Sequence, residues 1–114
     1  MTGYFTHVDE HTGFSAEKPA KADLFRGEHL FVGLNCYEPG QFQALHSHAG
    51  ADKFYLVISG KARLRVGDEA HEAGPGSVVW APAGIPHGVE EALMRTVMLV
   101  GMTVGHGVSG PGRP

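Results

Sequence analysis

Hydrophobic positions along the chain mostly follow a two-residue alternation, and nowhere do they sustain a helical period. Residues 30–37, LFVGLNCY, are rich in strand formers. Pro39 and Gly40 then make a turn. Residues 41–48, QFQALHSH, alternate, which places Phe42, Ala44, His46 and His48 on one face of a strand. The near-continuous apolar run 53–59, KFYLVIS, predicts a buried strand. In 61–66, KARLRV, the residues Ala62, Leu64 and Val66 share a face, and Gly67-Asp68 signals a hairpin into 70–73. A turn at 74–76 leads to a strand over 77–81, a rigid loop over 82–86, PAGIP, and a last strand from about Arg95 to Val100. Residues 90–96, EEALMRT, alone carry local helical propensity, in a stretch too short to be stable by itself. Six or more short strands spaced roughly ten residues apart, with no repeat of solenoid period, predict an antiparallel sandwich or a closed barrel.

The flanks differ. Residues 1–28 are polar and irregular and predict an N-terminal segment packed on the main body, residues 29–104. Residues 105–114 are rich in Gly and Pro and predict a flexible tail, in which His106 is incidental.

Composition narrows the function classes. A length of 114 residues argues for one domain with a modest core. The net charge of −3 and the lack of a basic run argue against nucleic-acid binding, which needs clustered Lys and Arg. No basic-then-apolar leader opens the chain and no apolar run is long enough to span a membrane, so the expectation is a cytoplasmic protein with no membrane partner. The single cysteine, Cys36, excludes an intrachain disulfide and reads as a half-buried strand residue rather than a nucleophile. The 17 glycines fit many tight turns, and the 8 histidines call for a search for metal-ligand spacing.

His46 and His48 stand at i and i+2 of a strand, so their imidazoles point the same way, into a face shared with apolar residues. Two neutral imidazoles on an interior face suit a divalent transition ion such as Fe, Mn, Ni, Co, Cu or Zn. By itself an H-x-H pair fits two hydrogen-bonded strand histidines equally well. The second segment sharpens the case: Gly76, Pro82, Gly84 and His87 follow G-x5-P-x-G-x2-H, while Gly40, His46 and His48 follow G-x5-H-x-H, with Gly60 closing that segment.

Together these spacings resemble the two motifs of the cupin superfamily, in particular its small single-domain members. The resemblance covers residues 40–91. It implies an all-β fold, an antiparallel jelly-roll β-barrel with under ~15% helix against the ~30–35% of average domains. It implies a metal held by His46, His48 and His87. It also implies a homodimer, which the apolar runs 53–59 and 95–100 support, since they exceed what one inner face covers.

The chain departs from the family at the fourth ligand, usually Glu. Counting back from Gly60 across six residues reaches Lys53, and counting on from His48 across three reaches Asp52. The Asn that ends the second motif is Glu91 here. A lysine ammonium within about 5 Å of a dication is opposed by several kcal/mol at an effective dielectric near ~20. Lys53 is therefore expected to turn toward Asp52, Glu91 or a bound anion, or to stay inside and neutral; Asp52 is a lesser candidate ligand. Parity places Tyr55 and Val57 beside Lys53, and Phe42, Ile85 and Val89 could join them. Lys53, Tyr55 and Phe42 are thus the candidate ligand-binding residues. Trp80 reads as a core or dimer contact, and His7, His11, His29 and His71 as solvated. No catalytic residue is assigned. The expected function is binding of, or action on, a small anionic metabolite at a metal site, as a dioxygenase, isomerase or lyase of the cupin type. The alternative is a non-catalytic small-molecule binding or sensor protein, with or without the metal; in the metal-free form Lys53 and the histidines would bind the anion.

Overall fold

The computed structural model describes residues 3–104. In chain order its strands are β1 (Ala20–Arg26), β2 (Leu30–Tyr37), β3 (Gln43–His46), β4 (Lys53–Ser59), β5 (Ala62–Val66), β6 (Glu69–Ala73), β7 (Val78–Ala81), β8 (His87–Ala92) and β9 (Thr96–Thr103). Among the described residues the helical element is a single 3-10 turn, Val8–Glu10, capped by the His7 ring, which accepts from the Asp9 amide. No helix there is long and apolar enough to cross a membrane. The tail over 105–114, including His106, lies outside the described residues.

The strands form two antiparallel sheets, β1-β2-β9-β4-β7 and β3-β8-β5-β6. This corrects the expectation of a β-barrel, because neither sheet closes and no ladder joins one to the other. A cleft of about 680 Å³, lined by Lys21 on β1 and Gln43 on β3, lies where one pair of sheet edges would have to meet. A second cleft of about 440 Å³, lined by His71 on β6 and Trp80 on β7, lies at the other pair. The architecture is an open two-sheet sandwich.

The core forms between the sheets. Tyr37, Tyr55, Val57, Met98 and Val100 of the larger sheet pack with Ala62, Leu64, Ala73, Val89 and Ala92 of the smaller one. A second cluster lies on the outer side of β1, β2 and β9, where Leu24, Leu34, Cys36 and Val97 are covered by Val8 and Phe14.

Two strands depart from the sequence pattern. Region 1–28 reads as irregular, yet Ala20–Arg26 is a strand paired along β2. Two of its four apolar residues are alanine, a weak strand former, set between charges suited to an edge. The stretch beginning Glu90-Glu91-Ala92 has helical propensity, yet these residues continue β8, which is hydrogen-bonded to both β3 and β5. Sheet pairing overrides local preference here.

Gly60 joins β4 to β5 at φ +89°, and a Cβ there would run into the Arg95 carbonyl oxygen. Gly60→Ala is expected to cost about 2 kcal/mol or more. Urea unfolding measures this, and an unchanged midpoint would contradict the crowding.

Candidate metal centre

His46 and His87 stand directly opposite each other across the β3–β8 ladder. The same ladder pairs Gln43 with Val89, so three steps on β3 answer two on β8. This bulge breaks the simple alternation. It brings Gln43 inward and turns Phe42 and Ala44 out. Phe42 is 61% exposed and does not share the histidine face, which corrects its expected place there. Phe42 instead lines the mouth of the 680 Å³ cleft, together with Lys21, Tyr37 and Gln43.

His48 follows β3, on a loop tied to the one that delivers His87. The Gly84 amide donates to the His48 carbonyl at 3.1 Å, and the Ala83 amide donates to Asp52 Oδ1 at 2.9 Å. Asp52 is therefore a clasp between the two loops and does not belong to the histidine cluster, in contrast to its reading as a lesser candidate ligand. Each of His46, His48 and His87 offers a ligand atom within 4.8 Å of the others. The His46 ring lies 5.0 Å from that of His48 and 4.4 Å from that of His87, centroid to centroid.

The tautomers favour ligation. His46 Nδ1 meets the Ala44 carbonyl at 2.9 Å and His87 Nδ1 meets the Ile85 carbonyl at 2.9 Å. A carbonyl only accepts, so Nδ1 carries the proton and Nε2 presents its lone pair. The Nε2 atoms of all three rings are buried without a hydrogen-bond partner. Burial lowers the pKa of each histidine, assisted by the charge of Lys53, and takes His87 down to about 4. All three are therefore neutral at pH 7, as metal ligation requires. This donor set fits a divalent transition ion.

Lys53 opens β4 between Ala81 of β7 and Met102 of β9, and is 1% exposed. Its Nζ sits 4.6 Å from the centre of the Tyr55 ring and has no hydrogen-bond partner. The expected turn toward Asp52 or Glu91 does not occur. Asp52 holds the Ala83 amide, and Glu91 is exposed, opposite Arg63. Burial, with a contribution from the charge of Lys21, depresses the Lys53 pKa to about 7. Tyr55 is fully buried, and its hydroxyl donates to Gln43 Oε1 at 2.7 Å. Val57 and Val89 belong to the core, while Ile85 is 40% exposed.

Gln43, Asn35 and Tyr37 went unread in the sequence. Only the bulge reveals Gln43. Asn35 and Tyr37 had a signal, a polar pair at i and i+2 on the parity of buried Phe31. The remaining described histidines have other partners. His11 is hydrogen-bonded to Thr6, His29 lies beside Glu28, and His71 beside Glu69.

The fold and site define a small two-sheet β protein with a three-histidine centre between its sheets. The chain belongs to the cupins: residues 33–100 match the family described as Cupin domain. It is 36% identical over 73 residues to an uncharacterized protein of Streptomyces coelicolor, covering 64% of this chain and 69% of that protein. It is similar to the crystal structure of TT1209 from Thermus thermophilus, with TM-score 0.82 and 35% identity over 87% of this chain and 95% of the other. An RmlC-like cupin from Desulfovibrio desulfuricans shares the fold, with TM-score 0.79 and 24% identity over 89% and 97% of the two chains.

The buried lysine has a consequence for stability. Its folded pKa of about 7 lies below the ordinary lysine value, so the unfolded chain keeps a proton that the folded chain sheds. Stability of the metal-free protein should therefore rise from pH 7 toward about pH 10 and be lowest below pH 7. Lys53→Met should flatten this rise and add roughly 1–3 kcal/mol at pH 7. Thermal melts across that range read both effects, and a variant less stable than the parent would contradict them.

Proposed function

We propose that the chain is a metal-dependent cupin enzyme that binds a small anionic metabolite beside His46, His48 and His87. The observation that carries this reading is the convergence of three unpartnered Nε2 atoms next to a buried, unpartnered lysine. When bound, a divalent ion supplies Lewis acidity and charge stabilisation for an anion. Three protein ligands leave coordination positions open to a substrate. The usual carboxylate is replaced by Lys53, so nothing in the ligand set offsets the dication, and the pocket favours a negative partner.

The chain's own residues define the rest of the site. Lys53 Nζ, which lies over the Tyr55 ring, donates to the anion. Gln43 fixes the Tyr55 hydroxyl. Phe42 gives the cleft mouth an apolar edge against which the body of a small acid can lie. Dioxygenase, isomerase and lyase chemistry are the reaction classes in view. The sensor reading makes the opposite prediction, saturable binding without turnover. A panel of small carboxylic acids, followed with and without chelator, separates the two. Chelator-sensitive consumption supports the enzyme.

The metal assignment has its own test. His87→Ala is expected to lose the ion, and His71→Ala to retain it, by elemental analysis of protein purified without a His tag. Equal retention would exclude the site.

Assembly as a homodimer belongs to the same proposal. The outward side chains of β4 and β7 pair as Phe54 with Trp80 and Leu56 with Val78. Trp80 is 56% exposed and Val78 69%. The N-terminal segment covers Val97 and Leu99 but not this face, so the run 53–59, joined by 77–81 rather than by 95–100, supplies the apolar patch. These four outward side chains are apolar, with Glu69 and Glu72 at their border, as suits a two-fold contact with an apolar centre and a polar rim. Light scattering is expected to give twice the 12.1 kDa chain mass, and Trp80→Glu to halve it. A 12.1 kDa species for the parent at micromolar concentration would contradict the dimer.

A further inference from the structure

Away from the histidines, the inner face of β2 carries two more polar groups. Asn35 is 1% exposed and Tyr37 fully buried. Asn35 Nδ2 and the Tyr37 hydroxyl have no well-formed hydrogen bond to any other group, although the Asn35 side chain lies close enough to the Tyr37 hydroxyl to interact with it. Both are donors, at i and i+2 of one strand, so they face the same way. Lys21 stands directly opposite Asn35 in the β1–β2 ladder, which puts a cationic side chain beside them. Lys21, Tyr37 and Lys18 line the 680 Å³ cleft between the sheet edges.

Packing does not account for this group. Neighbouring Tyr55 has the same burial, yet its hydroxyl is satisfied by Gln43, so the fold can partner a buried phenol where nothing else is needed. Even with Asn35 against the Tyr37 oxygen, the phenol proton is left without an acceptor, which is costly unless one enters. A carboxylate suits them: it is all acceptor and takes several hydrogen bonds at once, and the nearby cationic Lys21 side chain favours an anion there. Gln43 lines the same cleft as Tyr37 and accepts from Tyr55, whose ring lies 6.3 Å from that of His87. One strand, β9, separates β2 from β4, and the register sets Asn35 level with Val57, four residues along β4 from Lys53, so the two groups form separate ends of the site.

We propose that Asn35 and Tyr37, with Lys21, form a second recognition site that holds the far carboxylate of a small dicarboxylate whose near end lies at the histidine centre. The near end rests on the metal-site reading above; the far end stands on its own residues. Monocarboxylates fill only half of the pocket, and a very short diacid cannot reach both ends.

Titration calorimetry with acetate, oxalate, succinate, glutarate and adipate on zinc-loaded protein, its zinc content measured on the same sample, tests this. The best of the longer diacids should bind at least about tenfold more tightly than acetate. Tyr37→Phe, which removes a donor and keeps the ring, and Asn35→Leu should each remove about tenfold of that preference. Acetate affinity and zinc content should not change. Diacids that bind no better than acetate to zinc-loaded protein, or a Tyr37→Phe variant with the full preference, overturn the proposal. If no zinc is retained, the metal reading fails separately. The far site is then judged on metal-free protein by the same comparison, where a diacid preference lost in Tyr37→Phe upholds it and its absence overturns it.

Discussion

A buried polar atom without a partner costs roughly 1–3 kcal/mol, and the inner faces of this sandwich carry a set of them: Asn35 Nδ2, Tyr37 Oη, His46 Nε2, His48 Nε2, Lys53 Nζ and His87 Nε2. A core of this size has little stability to spare for such a load. The architecture makes sense if the load is relieved from outside. Three lone pairs converge on one point, and the remaining groups are donors. The first arrangement answers a cation and the second an anion, and a substrate bound to a metal presents both.

The open seams follow from the same constraint. A sandwich zipped shut between β1 and β3 would seal the Tyr37 hydroxyl away from any ligand. Here β1 and β3 stay apart, and Lys18, Lys21, Tyr37 and Gln43 line the gap. The loops around the histidines, by contrast, are tied closely, through Gly84 to His48 and Ala83 to Asp52. Access is left at the edge while the ligand-bearing loops are held rigid, as a preorganised site requires.

Much of this was legible before any coordinates. The spacings G-x5-H-x-H and G-x5-P-x-G-x2-H identify the histidines that meet, because motif glycines and a proline fix the turns that aim them. The apolar run 53–59 coincides with β4. What stayed hidden depends on tertiary pairing. The bulge between Gln43 and His46 reverses which of Gln43 and Phe42 faces inward, and no local preference announces it. Edge strand β1 is disguised by alanines and charges, and Glu90 and Glu91 favour a helix that β3 and β5 do not permit. Closure of the sheets was a matter of family likeness, and the pattern of alternation itself left sandwich and barrel open. Lys53 is buried beside Tyr55, on the face that strand parity gave it, but the turn toward Asp52 or Glu91 does not occur. Asp52 is engaged by a backbone amide, which a sequence does not display.

The charge of buried Lys53 helps lower the pKa of all three histidines, and the central claim is a divalent ion held by three neutral imidazoles without a protein carboxylate. X-ray absorption spectroscopy of the metal-loaded protein tests it most directly. The account predicts three imidazole nitrogens at about 2.0–2.1 Å if zinc is bound, with the remaining positions filled by solvent or added anion. The imidazole scattering should fall in His87→Ala and persist unchanged in Asp52→Asn. A spectrum with fewer than three imidazoles, or with a carboxylate lost in Asp52→Asn, would contradict it.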